Sequence, residues 1–360
     1  MRTQVRNFPK TPDEGWRTGE LIRAMEGNIV GASNLHLACN GQLLVGSAHT
    51  DNLDVNELST KKGVTNRNLQ IWDFKTGSPL VMADQEYCSA LQVLSDGDKV
   101  ALGRTDKYGN STSIIVWDLL GNQPIKEMRY EASVGNNDYI SFLCLSQNNR
   151  YAVAGFNNTF DNSAEFVIFD MTLTSYNVVE PSILKMDANP ECTAVLPQDE
   201  AVTGLRNGDL VIWNLRNGQP SRQLLSSSGL HAHTSEVSAI ALSEDSSVLV
   251  SASADGTVKV WDMKNEVLGS TLIGHTREVS CVAISSDNEM IASGSQDGTI
   301  RLWRTQTGSQ ICAFNTNMDV FFVTMSKDNS TIVALGDKFG ARKLIMLQVV
   351  RSKVRKHVLA

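Results

Sequence analysis

The chain has 360 residues, of which 41% are hydrophobic and 20% charged, and its formal net charge is -7. That balance is ordinary for a folded globular chain and argues against a general attraction to the polyanionic backbone of nucleic acid. No apolar run reaches the roughly eighteen residues of a membrane-crossing helix, and residues 1–20 lack the apolar stretch of a secretory leader, so a soluble protein of the cytoplasm is expected, with the nucleus left open.

Six cysteines stand singly (Cys39, Cys88, Cys144, Cys192, Cys281, Cys312), with neither the spacing of a zinc site nor that of a disulfide framework. No metal or cofactor is expected. In chain order, the first readable element is 19–26, an outer-strand-like segment with no unit of its own, comparable to 77–82, which follows Trp72-Asp73. A second unit closes on Trp117-Asp118, and a third closes on Phe169-Asp170, where Trp-Asp would otherwise stand. All three carry long insertions between their second and third predicted strands, at 49–66, 105–112 and 157–163.

A fourth unit contains Thr203, Asn207 and Trp213. The next two are the clearest repeats: HTSEVSAIALSEDSSVLVSASADGTVKVWD from His233 and HTREVSCVAISSDNEMIASGSQDGTIRLWR from His275. Each places a His, a Ser, an Asp and a Trp at the same intervals. Short β-branched runs at 237–242, 248–251 and 257–261 alternate with turn chemistry, and Asp255-Gly256 and Asp297-Gly298 suit tight hairpins because Asp and Gly tolerate positive φ. Each unit therefore reads as an antiparallel meander. Three further strands are predicted at 320–325, 331–335 and 343–347, before a basic tail at 351–360.

The x-H opening, the S-x-S-x-D-G-T centre and the W-D close resemble WD repeats. The resemblance implies an all-β fold, a β-propeller with four-stranded antiparallel blades, which becomes seven-bladed when the two termini share one blade, and a buried hydrogen-bonded tetrad in each regular blade: His233, Ser251, Asp255, Trp261 and His275, Ser293, Asp297, Trp303. Joining strand 20–26 to the last blade would close the ring and remove an open sheet edge. The expected organisation is a 1–19 extension, one propeller over 20–350 and the 351–360 tail. A closed ring needs no second copy, so a monomer is expected.

The insertions and the segments containing His233 and His275 are expected on one face. Long loops gathered on a rigid scaffold favour binding over filler, and Arg is enriched at interfaces. The candidate protein-binding residues are Lys107, Tyr108, Phe156, Phe160, Arg206, Glu236, Arg277 and Gln296. No nucleophile elbow, phosphate loop or zinc-protease motif is present, and the recurring His/Ser/Asp sets are better explained by folding than by two active sites.

The expected function is therefore a non-catalytic scaffold for protein partners, with no small-molecule substrate. A more diffuse resemblance, to the C-terminal propellers of NACHT and WD-repeat proteins, implies a regulatory or sensor role beside a nucleotide switch. Recognition of a modified peptide or a nucleic acid is a third reading.

Overall fold

The computed structural model describes residues 16–25, 32–38, 42–48, 69–73, 79–83, 88–105, 112–130, 139–146, 148–157, 164–172, 190–226, 229, 231–338 and 341–351. They form strands and turns only. β1 (Trp16–Met25) is followed by a sheet of β2 (Ala32–Ala38), β3 (Leu43–Ala48), β4 (Leu69–Asp73) and β5 (Pro79–Ala83). The next sheet comprises β6 (Cys88–Val93), β7 (Lys99–Thr105), β8 (Thr112–Asp118) and β9 (Gln123–Tyr130), and the third β10 (Tyr139–Leu145), β11 (Tyr151–Asn157) and β12 (Ala164–Asp170).

Then come β13 (Pro190–Leu196), β14 (Glu200–Leu205), β15 (Leu210–Asn214) and β16 (Gln219–Leu224). They are followed by β17 (Val237–Leu242), β18 (Val248–Ser253), β19 (Thr257–Asp262) and β20 (Val267–Ile273). β21 (Val279–Ile284), β22 (Met290–Ser295), β23 (Thr299–Arg304) and β24 (Gln310–Asn315) form the sixth sheet. The last contains β25 (Asp319–Met325), β26 (Thr331–Lys338) and β27 (Ala341–Arg351), with β1 as its outer strand.

Each sheet is an antiparallel meander of neighbouring strands, apart from the pairing of β1 with β27, which joins Trp16 to Arg351 and Met25 to Leu344. The three C-terminal strands run longer than their β-branched cores at 320–325, 331–335 and 343–347, because polar residues at their ends still complete the ladder. Contacts divide the chain between Ile240 and Ala241, inside β17, into a unit holding β2–β16 and a unit holding β1 and β18–β27.

Within the first unit, apolar layers lie between successive sheets. Val45, Ile71, Leu102 and Trp117 make one; Ala101, Ile114, Ile140 and Phe169 make a second; Val153, Ile168, Val211 and Trp213 make a third. Within the second unit, Met290, Ile300, Leu302, Val320, Ile332 and Leu347 make the corresponding layer. A sheet covered on both faces loses strict polar alternation in its inner strands. Accordingly β22 is buried at every position, whereas the outer strand β20 is exposed at every other residue, at Val267, Gly269, Thr271 and Ile273.

Close sheet-to-sheet approach fixes one position in the second strands. A Cβ on Gly204 would lie 2.6 Å from Val237 Cγ1, and one on Gly294 would lie 2.5 Å from Val320 Cγ1 and 2.6 Å from Cys281 Sγ. Gly103 stands in the same relation to Ile140, at 2.8 Å. In β18 the equivalent residue is Ala252, the next smallest choice.

The turns between first and second strands also recur. Ser243, Ser285 and Ser326 each donate Oγ–H to the carboxylate two residues on, at 2.6–2.7 Å, and each accepts the N–H five residues on at 2.9 Å. Asn149, Asn288 and Asn329 sit in these turns at φ of 53–57°, a region Asn tolerates. Their amides reach the turn of the preceding sheet: Asn149 binds Ser95, Asn288 binds Asp245, and Asn329 accepts the Ser286 N–H. Neighbouring sheets are thus tied at their turn ends as well as through their cores.

Substituting Gly294 with Ala should cost about 1–3 kcal/mol through overpacking. Adding Val320→Ala should recover part of that loss. Denaturant unfolding of the two variants checks this, and a double variant no more stable than Gly294→Ala would contradict the assigned contact.

Candidate protein-binding face

In the β21–β24 sheet the sequence aligns four polar side chains along one buried line. Trp303 pairs across the ladder with Ile291, and Ser293, two residues further along β22, lies under the indole. Trp303 Nε1–H donates to Ser293 Oγ at 2.8 Å, Ser293 Oγ lies 2.8 Å from His275 Nε2, and His275 Nδ1 lies 2.9 Å from Asp297 Oδ2. Because ionised Asp only accepts, the network assigns the proton to Nδ1, so Ser293 donates to Nε2.

Burial lowers the His275 pKa, against the pull of Asp297, and keeps the ring neutral. Burial also works against ionising Asp297, but bonds from Thr299, His275 and the Thr276 N–H bring it down to about 2. Asp297 also closes the β22–β23 turn by accepting the Thr299 N–H at 2.9 Å. Every buried polar group on this line is therefore satisfied.

The neighbouring repeat shares part of this geometry. Trp261 Nε1–H donates to Ser251 Oγ at 2.9 Å, both residues being fully buried, and Asp255 accepts the Thr257 N–H at 2.9 Å. His233 is buried, and its N–H donates to the Gly208 carbonyl.

Elsewhere the line is broken in ways that follow from single residues. Two residues along β14 from Ala201, the ladder partner of Trp213, Thr203 replaces the serine and its Oγ1 lies 3.0 Å from Thr193 Oγ1. Asn207, at the spacing of Asp255 and Asp297, is exposed and bonds Asp209, which in turn meets His231 at 2.7 Å. Leu102 and Ala154 occupy the serine position in β7 and β11. Phe169 suits an apolar site, whereas Trp117 keeps a buried Nε1–H with no hydrogen-bond partner among the described residues.

The turn that Asp297 closes lies against the segment entering β21, since the Gln296 N–H donates to the Glu278 carbonyl. Arg277 donates from Nη1 to the Gln296 carbonyl at 3.0 Å and from Nη2 to Gln296 Oε1 at 3.3 Å, and Gln296 Nε2 donates to Glu278 Oε2 at 2.7 Å. Asp319 Oδ1 lies 4.0 Å from the guanidinium.

In the other unit, Arg206 and Glu236 form an ion pair at 3.5 Å beside half-buried Glu191. The Glu191 pKa is raised by burial and by the charge of Glu236, against the opposing pull of Arg206. Thus Arg206 and Glu236 come together, as do Arg277 and Gln296. Phe156 is a β11 residue paired with Ile140 and Glu165. Lys107, Tyr108 and Phe160 lie outside the described residues, together with most of the insertions.

Asp319 and Glu191 were not among the residues singled out from the sequence. A signal for Asp319 was present: an acidic residue precedes the first-strand valine in Glu236-Val237, Glu278-Val279 and Asp319-Val320. Glu191 has no such repeat. Among the described residues no three His, Cys, Asp or Glu converge as a metal site, and no helix is long and apolar enough to cross a membrane. Burial pushes the Cys144 thiol up to about 12 and raises those of Cys192 and Cys281, which disfavours thiolate chemistry.

Ser293→Ala should cost about 1–3 kcal/mol by stripping the partner from a buried indole. In a double-mutant cycle, Ser293→Ala combined with Trp303→Phe should lose less than the sum of the two single changes. Strict additivity in denaturant unfolding would show that the two groups do not act as one network.

Residues 222–262 and 266–304 match the family model described as WD40: WD domain, G-beta repeat. The chain therefore carries two WD40 repeats.

Proposed function

We propose that this protein is a non-catalytic platform that presents to protein partners the sheet ends bearing Arg206 and Glu236 in one unit and Arg277 and Gln296 in the other. The observation that carries this reading is the contrast between the two polar systems at that end. The His275–Asp297 line is internally satisfied and buried, whereas Arg277 is oriented but remains 58% exposed. Fixed, solvent-facing arginines suit interfaces because little side-chain freedom is left to lose on binding. WD40 repeats support the same class of function.

Quantitative affinity purification should distinguish the faces. Arg206→Glu with Arg277→Glu should lose a discrete set of proteins, while the charge-matched control Lys264→Glu with Lys327→Glu, in turns at the opposite sheet ends, should retain them. Both variants must melt like the parent. An identical set from both would overturn the assignment of this face.

We also read the seven sheets as blades of one closed propeller, whose first strand begins at Trp16, inside the expected 1–19 extension, and whose last ends at Arg351. The pairing of β1 with β27 supports this reading by supplying the outer strand of the last sheet. Deleting residues 1–26 should lower the melting temperature and broaden the transition. An unchanged melting curve would overturn closure.

A further inference from the structure

We infer that Ser95 is a phosphorylation site for a serine kinase that selects acidic segments, and that Ser286, which carries the same flanking charges, is withheld from that kinase by the fold. In this chain Ser95 and Ser286 are the only serines or threonines with an acidic residue both one and three places on, in Ser95-Asp96-Gly97-Asp98 and Ser286-Asp287-Asn288-Glu289. Kinases choose among hydroxyls partly by such charge patterns, because a cationic groove attracts the carboxylates that flank the acceptor.

The two serines hold the same place in the turn between first and second strands, Ser95 between β6 and β7 and Ser286 between β21 and β22. Each donates its N–H to an Asn side chain of the following sheet, Ser95 to Asn149 Oδ1 at 3.0 Å and Ser286 to Asn329 Oδ1 at 2.9 Å. Their hydroxyls differ. Ser286 Oγ–H donates to the Lys327 carbonyl at 2.7 Å, with Asn329 Oδ1 at 3.1 Å, and the residue is half-buried. Its hydrogen is held against the next turn, and a phosphoryl group there would face two acceptor oxygens.

Ser95 Oγ instead accepts, from Asn149 Nδ2 at 2.7 Å, and the residue is exposed. That bond uses one lone pair and leaves the hydroxyl hydrogen and a second lone pair outside the tie. Transfer therefore needs no break in the link between the turns. Oγ attacks the γ-phosphorus of ATP, the new Oγ–P bond replaces the bond to the β-phosphate oxygen, ADP departs, and the hydroxyl proton passes to the general base of the kinase. Asn149 Nδ2 remains a donor toward the added group. Asp96 is already paired with Lys99, so exposed Asp98 is the acid the kinase would read.

The test incubates the folded full chain with ATP and a purified serine kinase of that selectivity, and follows both sites by phosphopeptide mass spectrometry. Ser95 should be labelled at least about tenfold faster than Ser286, since Ser286 must first give up its hydrogen bond and Ser95 need not. Synthetic peptides spanning 88–102 and 279–293, which lack the ties, should be labelled at similar rates. In the full chain Asp98→Asn should slow labelling of Ser95 several-fold, whereas Asp98→Glu, which keeps the charge, should label like the parent. Melting curves show whether each variant keeps its fold.

Labelling of Ser286 as fast as Ser95 in the folded chain, labelling of neither, or a rate at Ser95 indifferent to Asp98→Asn would overturn the inference. So would peptides that already differ as the folded sites do, because the choice would then lie in the sequence alone.

Discussion

Burial of the second strand on both faces is the constraint from which the other features follow. A four-stranded sheet cannot cover its own faces, so each described sheet needs an apolar layer from a neighbour, and the inner strands must be small or β-branched where those layers meet. Gly103, Gly204 and Gly294 mark close approaches between sheets, each facing an Ile or Val of the next sheet. Where the approach is set by packed β-branched side chains, even one extra carbon forces a neighbour to shift. The exposed outer strands have no such restriction, and their residue choice is correspondingly loose.

Polar groups inside such a stack must be satisfied completely or be absent. In the sheet of β21–β24 the first solution holds, from Trp303 through Ser293 and His275 to Asp297. In the sheet of β10–β12 the second holds, with Phe169 beside Ala154 and nothing left to pair. The sheet of β6–β9 is intermediate: it keeps Trp117 but has Leu102 where the hydroxyl would stand. Its indole gains apolar burial and loses a hydrogen bond, a local compromise between two consistent designs.

Much of the repeated architecture was legible because hairpin chemistry and β-branched runs are local. The run 237–242 coincides with β17, and 257–261 falls one residue short of β19. The His, Ser, Asp and Trp spacing was equally visible, but spacing did not reveal that Asn207 would be exposed and bonded to Asp209. The Ser-x-Asp turns at 243, 285 and 326 could also have been read. The Asn contacts to preceding turns could not, because they link positions some 43–54 residues apart with no local trace. On the candidate face, Arg277 was readable as a residue type, whereas its fixation by Gln296 depends on two segments that meet only after folding.

The pairing of β1 with β27 has a consequence for biosynthesis. Its two strands are made at opposite ends of the translation of this segment. At roughly 5–20 residues per second, β1 waits on the order of half a minute for the strand that will cover it. The sheets within each unit can pack on one another as they emerge, whereas the described ladder partner of β1 is β27. Until β27 is released, a ten-residue strand remains without its ladder, the kind of edge that other unfinished chains can capture. The last sheet is therefore the step at which the nascent protein most needs protection, by a chaperone or by a transient interaction of its own.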